Sequence, residues 1–262
     1  MTEQKKIGFF DSGLGGLSIL RHAPLKIKNA KFFYVADSAN APYGDKPESF
    51  VLERSLQLAD FFVKKKIDAL VIACNTATAI AAEKVRSQLS IPVVAIEPAI
   101  KPAILQSSNK KIIVLATNAT LKSDRYKSLK SLNNWNGEIE ECVCHEWVTA
   151  VEEGHLNFEE SCEMVKKQLD KIEMKNADTI ILGCTHFPFL SKEIKSVIKG
   201  DVRLIDPSLA VLEQLIRILG IKQTEVTPNE LDIEFFTSGD TSKAEKRIFD
   251  LLGWKLHAKS CY

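Results

Sequence analysis

The stretch Asp68-Ala-Leu-Val-Ile-Ala-Cys74-Asn75-Thr76 is repeated in character at Asp178-Thr-Ile-Ile-Leu-Gly-Cys184-Thr185-His186, with the two cysteines 110 positions apart. Each stretch has an apolar run long enough for one buried strand, then a cysteine, then a pair of polar or ionisable residues. In an open α/β sheet, ligands bind outside the carboxyl ends of the strands. Two cysteines so placed could face one another across a single site, which suits an enzyme that works on both faces of one carbon.

Working outward, strand-like apolar runs fall at 6–10, 32–36, 69–73, 93–96, 112–116, 179–182, 202–205 and 233–236. Most are continuous rather than alternating, as parallel strands covered on both faces require. Helical patterns lie between them. Leu52, Leu56, Ala59 and Phe62 form one stripe, closed by Lys64-Lys65-Lys66, and cations suit a helix C-terminus. Phe158, Cys162, Val165, Leu169 and Ile172 form another, which assigns Cys162 to the core. The alternation predicts an α/β fold of two similar doubly wound domains with mainly parallel sheets and an active site in the cleft between them. Pro98 and Pro102 break the pattern after the first half, and Asp206-Pro207 marks a second crossing. The expected domains are 1–97 with 207–262, carrying Asp11 and Cys74, and 98–206, carrying Cys184. Ile7-Gly-Phe-Phe-Asp11-Ser12 precedes Cys74 much as Ile113-Val-Leu-Ala-Thr117 precedes Cys184, so a duplicated α/β half is expected.

Composition narrows the function classes. With 262 residues, 45% of them apolar, the chain can bury a sizeable core. Its 35 basic and 34 acidic residues nearly cancel, which gives no footprint for nucleic acid or an anionic membrane. The first ten residues lack the apolar core of a secretory leader, and no uncharged run is long enough to span a bilayer. A cytoplasmic enzyme is the expectation. Six cysteines in a chain of this size are packing residues, ligands or nucleophiles rather than a disulfide framework.

Three motifs carry chemistry. Asp11-Ser-Gly-Leu-Gly-Gly-Leu17 ends a strand, turns on glycines and starts a helix near Leu17. Its spacing is not that of a dinucleotide fingerprint, so it reads as a carboxylate or phosphate cradle or as a capped glycine turn. Asp37-Ser-Ala-Asn-Ala-Pro42-Tyr43-Gly44 follows a strand, and Tyr43 exceeds what a rigid turn needs. The cysteine motifs each belong near a helix N-terminus, which lowers a thiol pKa from its usual 8.5 or so. His186, two residues beyond Cys184, is a candidate proton relay. Cys142-Val-Cys144-His145 has no second ligand cluster, so no metal site is expected.

Together these segments resemble the bacterial glutamate racemases within the aspartate/glutamate racemase superfamily. The resemblance spans nearly the whole chain through DSGLGGL at 11–17, DSANAPYG at 37–44, ACNTA at 73–77, ATNAT at 116–120, VEEG at 151–154, GCTHFP at 183–188 and SGD at 238–240. It implies a cofactor-independent, two-base interconversion of L- and D-glutamate that supplies D-glutamate for peptidoglycan. Cys74 would exchange the proton with the D-enantiomer and Cys184 with the L-enantiomer. Asp11 and His186 would assist the two thiols, with Asp37 and Glu152 as further polar participants. Asp11, Ser12, Pro42, Tyr43, Gly44, Asn75, Thr76, Thr120, Thr185 and His186 would hold the substrate. The resemblance also implies a homodimer with no cofactor.

Other readings stay open on the residues alone. A racemase for aspartate or another acidic amino acid would use the same fold and cysteines. A non-catalytic amino-acid-binding protein would have no use for a thiol on each side. A thiol hydrolase built on a Cys/His pair would leave the second cysteine motif unexplained.

Overall fold

The computed structural model describes residues 4–131, 135–154, 157–221 and 231–261; Met1, Thr2 and Glu3, the start of the stretch read for a leader, lie outside them. Among the described residues, ten strands form two sheets. Strands β1 (Lys5–Asp11), β2 (Ala30–Ala36), β3 (Ala69–Ile72) and β4 (Val93–Ala95) join β9 (Ile233–Thr237) and β10 (Ala258–Ser260) in one sheet, ordered β10-β9-β2-β1-β3-β4. Strands β5 (Lys111–Ala116), β6 (Glu138–Val143), β7 (Thr179–Gly183) and β8 (Arg203–Ile205) form the other, ordered β6-β5-β7-β8. Every pairing is parallel.

The two sheets repeat one connection pattern. In the first, β1 is flanked by β2 and β3, with β4 beyond β3; in the second, β5 is flanked by β6 and β7, with β8 beyond β7. The chain thus reverses its direction of travel between β1 and β3, and again between β5 and β7. Such a reversal leaves a crevice outside the carboxyl ends of the two adjacent strands. Asp11 and Cys74 stand at one crevice and Thr117 and Cys184 at the other, so the echo in sequence has a counterpart in topology.

Helices cover both faces of each sheet. On the larger one, Ile7 and Phe9 of β1 pack with Leu212 and Leu215 from the helix Ser208–Leu219 and Ile248 from the helix Thr241–Leu252. Phe10 points the other way, toward Phe62 of the helix Glu48–Lys65 and Ala81 of the helix Asn75–Gln88. The smaller sheet is packed by Trp147, Val165 and Phe187 on one face and by Ile100, Ala103 and Tyr126 on the other. Among the described residues, no helix is long and apolar enough to cross a membrane.

All eight sequence-predicted strands are present within a residue or two. β6 and β10 were not predicted. Both are edge strands: β6 buries only Cys142 among six residues, and β10 is three residues long, so neither carries a buried apolar run. The helical stripe at 48–65 is rotated from its predicted face, with Val51, Ser55, Leu58, Ala59 and Phe62 buried while Leu52 and Leu56 are half-buried. Lys66 ends this helix in the left-handed region at φ 54°. In the helix Phe158–Leu169 the buried face is Ser161, Val165 and Leu169. Cys162 is not core; it is half-buried, with Sγ 3.2 Å from Ser196 Oγ.

Phe62 is fully buried between the sheet and its covering helices. Phe62→Ala removes a large side chain from a close-packed layer and should cost about 3–5 kcal/mol of unfolding free energy, read from urea denaturation.

Candidate active site

Asp11, Ser12, Cys74, Thr117, Cys184 and His186 lie at or just past the carboxyl ends of strands, where the crevices open, and Glu152 reaches them from the end of the helix His145–Glu153. Cys74 follows β3 and caps the helix Asn75–Gln88, its Sγ accepting the Ala77 N–H at 3.4 Å. Cys184 follows β7, but the turn beyond it leads into a short 3-10 helix, Phe187–Leu190, rather than directly into an α-helix. Only Cys74 has the α-helical N-terminal setting that the sequence suggests for both.

The two cysteines line one small cavity together with Ser12, Pro42, Tyr43, Gly44, Asn75, Thr76, Thr117, Val148, Thr185 and His186. Cys74 and Cys184 are 5% and 6% exposed, so solvent barely reaches either thiol. The cavity lies at the seam between the two sheets' halves. Thr76 Oγ1 meets Thr117 Oγ1 at 3.0 Å, and Thr185 Oγ1 donates to Asp11 Oδ2 at 2.7 Å.

Each thiol heads its own relay. Cys74 Sγ contacts Ser12 Oγ at 3.8 Å, and Ser12 Oγ donates to Asp11 Oδ1 at 3.1 Å. The path between Cys74 and Asp11 thus runs through the serine hydroxyl. On the other side Cys184 Sγ lies 3.5 Å from His186 Nδ1, and His186 Nε2 lies 2.6 Å from Glu152 Oε1. One relay is thiol–hydroxyl–carboxylate; the other is thiol–imidazole–carboxylate.

The glycine loop is occupied by the protein's own carboxylates. Gly13 N–H donates to Asp11 Oδ1 at 2.9 Å, and Leu14 N–H donates to Glu152 Oε1 at 2.6 Å. The anion cradle read in the sequence therefore holds Glu152, delivered from the helix His145–Glu153 of the four-stranded half. Gly15 is required by close approach: a Cβ there would come within 2.4 Å of His186 Nδ1.

Electrostatics set the two relays apart. Burial pushes the Cys74 thiol up to about 12, and the nearby Asp11 charge adds to this, so the helix N-terminus does not lower it as the sequence suggests. Burial also raises the Asp11 carboxyl above the ordinary range, outweighing its hydrogen bonds and the His186 charge. Burial opposes charge on His186 too, but its hydrogen bonds to Cys184 and Glu152 and their negative charge prevail, raising its pKa well above 6.5.

Asp37 and Thr120 stand one step back from the cavity. The Asp37 carboxylate accepts from Tyr43 Oη at 2.6 Å, from Asn40 Nδ2 at 3.0 Å, and from Arg54 Nη2 at 2.7 Å. Burial opposes its ionisation, yet these donors together lower its pKa. It anchors Tyr43, and with it the Pro-Tyr-Gly segment. Thr120 Oγ1 meets Thr117 Oγ1 at 2.9 Å, and it is Thr117 that reaches the cavity. Thr117 and Val148 are the cavity residues the sequence reading did not assign. Thr117 was accessible, because it occupies the same strand-end position as Asp11. Asn75 is buried, and neither its amide nitrogen nor its amide oxygen has a hydrogen-bond partner. Buried polar atoms are seldom left unpaired, so this amide is suited to a ligand. Among the described residues, no group of three or more His, Cys, Asp or Glu could hold a metal; Cys142 and Cys144 lie 3.8 Å apart through sulfur, and His145 pairs with Asp45 instead.

The family model for Asp/Glu/Hydantoin racemase matches residues 18–215. The chain belongs to this family, and it is an enzyme of the racemase class, an isomerase. A glutamate racemase from Aliarcobacter butzleri is 40% identical over 219 residues, 81% of this chain and 83% of the relative. The crystal structure of a glutamate racemase isoform from Bacillus anthracis is similar at a TM-score of 0.86 and 28% identity, covering 100% of this chain and 98% of that one. A glutamate racemase from Francisella tularensis in complex with D-glutamate is similar at a TM-score of 0.84 and 29% identity, again covering 100% and 98%.

The raised His186 pKa has a consequence for stability. Unfolded, the imidazole titrates near 6.5; folded, it titrates higher. The native state holds a proton that the unfolded chain releases, so the contribution is complete below about pH 6.5 and is lost as pH rises through the folded value. His186→Asn removes this linkage. In urea unfolding the stability gap between the two proteins should be widest near pH 6 and narrow as pH rises; a gap that does not vary with pH would contradict a protonated His186.

Proposed function

We propose that this chain is a cofactor-independent glutamate racemase that interconverts L- and D-glutamate with one cysteine on each face of Cα. The observation that carries this reading is the pair of buried thiols lining one small cavity, each backed by its own relay. The similar proteins above, among them one in complex with D-glutamate, supply the substrate. The expected physiological role is to provide D-glutamate for peptidoglycan, in a cytoplasmic homodimer. The two halves are proposed to be domains at 1–97 with 207–262 and at 98–206.

Inversion takes a proton from one face of Cα and returns one to the other. At the start of a turnover one sulfur must be a thiolate and the other a thiol. Cys74, pushed to about 12, is the thiol, and the proposed scheme then gives the thiolate role to Cys184, whose Sγ lies 3.5 Å from His186 Nδ1. That state takes the α-proton of L-glutamate at Cys184 and delivers the Cys74 proton to the opposite face, leaving Cys184 protonated and Cys74 ionised. Ser12 and Asp11 then accompany the proton exchange at Cys74, while His186 and Glu152 do so at Cys184. Asp11 can hold a proton because burial raises its carboxyl.

The α-proton of an amino acid is far less acidic than a thiol, and each tenfold of rate needs about 1.4 kcal/mol of transition-state stabilisation. Fixed donors around the substrate carboxylate and exclusion of water provide it. Asn75, Thr76, Thr117 and Thr185 line the cavity and are suited to that contact, with Ser12, Pro42, Tyr43 and Gly44 completing the pocket; Thr120 supports Thr117 and Asp37 supports Tyr43.

Racemisation of L-glutamate in deuterated water without added cofactor, followed by circular dichroism and by deuterium at Cα, tests the reading directly, with L-aspartate as the comparison. Cys74→Ala and Cys184→Ala should each abolish racemisation in a folded protein; full activity in either would sink the two-thiol scheme. Binding of glutamate with no deuterium entering Cα would instead identify a binding protein. Asn75→Ala removes one buried donor to a charged ligand and should raise KM by about 10–100-fold with a smaller change in kcat.

A further inference from the structure

The helix His145–Glu153 carries Glu152 on its last turn, and Glu152 holds His186. The final carbonyls of a helix have no partner within it and must find one elsewhere. At this end the helix stops on Gly154, in the left-handed region at φ 67°, with its N–H bonded to Ala150 O at 2.9 Å. The Val151 carbonyl, one residue before Glu152, accepts a hydrogen bond from Arg247 Nη2. Arg247 comes from the helix Thr241–Leu252 of the six-stranded half, is 7% exposed, and is fixed at Nη1 by Asp250 at 3.1 Å. A Cβ at position 154 would lie 2.0 Å from Nη1. The helix thus ends in the one residue that both adopts the turn and admits the guanidinium.

We propose that Arg247 is a positioning residue for proton transfer at Cys184, an inference that rests on the two-thiol reading of the site. The guanidinium pins the end of the Glu152 helix from the opposite half of the molecule. It thereby fixes Glu152 against His186, and His186 against Cys184. The Cys74 relay through Ser12 and Asp11 has its own direct contacts, Gly13 N–H and Thr185 Oγ1, and meets Glu152 only indirectly, through the Leu14 N–H further along the loop. Loss of Arg247 should therefore raise the barrier on the Cys184 face more than on the Cys74 face.

Rates alone do not separate the two faces. The enantiomers have equal free energy in water, so kcat/KM must change by the same factor in both directions. The primary isotope effect does separate them. α-Deuterated L-glutamate reports the transfer to Cys184, and α-deuterated D-glutamate reports the transfer to Cys74. In Arg247→Met, kcat/KM should fall by about 10–100-fold, the scale of a misplacement near 1 Å. The isotope effect on kcat/KM should rise with the L substrate and fall with the D substrate. Arg247→Lys, which keeps a cation but not the planar fork, should lie between wild type and Arg247→Met on both readouts.

Unchanged isotope effects alongside reduced activity would mean a merely structural loss and would overturn the proposal, as would unchanged activity or a shift of the opposite sense. If Arg247→Met does not fold, Arg247→Lys supplies the same comparison and must show the same split. Wild-type protein that fails to racemise glutamate would remove the underlying reading along with this proposal, and it is distinguished by failing before any substitution is made.

Discussion

Glu152 Oε1 receives two groups at once, the Leu14 N–H at 2.6 Å and His186 Nε2 at 2.6 Å. One belongs to the glycine loop after β1, the other to the turn after β7. A single carboxylate oxygen therefore ties together the two strand ends on which the site is built. Leu14 N–H and His186 Nε2 thus share one acceptor, a charge-assisted contact on each side of the seam. The glycines of the loop let the opposite half come this close, and the anion-binding character of the loop is spent within the protein. In the proposed reaction, ligand recognition is left to other groups: the unpaired amide of Asn75 and the hydroxyls at Thr76, Thr117 and Thr185.

Burial governs the charge state of the rest of the site. Asp11 is fully buried and Cys74 nearly so, and desolvation raises both. His186 is as enclosed, yet it is held as a cation by partners on both ring nitrogens. One face of the cavity is thus disposed to keep protons on oxygen and sulfur, and the other to keep a proton on an imidazole. In the proposed reaction this difference gives the resting enzyme a defined starting state.

The buried parallel strands were legible because most of them carry continuous apolar runs, and burial on both faces leaves that mark on a sequence. β6, with Glu138, Glu140 and Glu141 among its six residues, reads as polar because an edge strand meets water. The cysteines were legible because their strand-end context recurs. Their chemistry was less so: a helix N-terminus lowers a thiol pKa and burial raises it, and which prevails depends on packing that the local sequence does not record. Arg54 and Arg247 were hidden for a related reason. Each acts on a partner 17 or 96 positions away, and nothing around either residue in the sequence marks that partner.

The repeated connection pattern of the two sheets bears on the handedness of the substrate. L- and D-glutamate are mirror images, but a chain of L-residues can copy its own fold only by rotation and never by reflection. The two halves can offer a similar strand-end cysteine to each face of a carbon, yet they cannot offer mirror-image surroundings. In the proposed reaction, a serine and a carboxylate on one side, against an imidazole and a carboxylate on the other, let unlike chemistry fill that gap. A repeated connection pattern would thus serve two opposite hands only through helpers that differ between its halves.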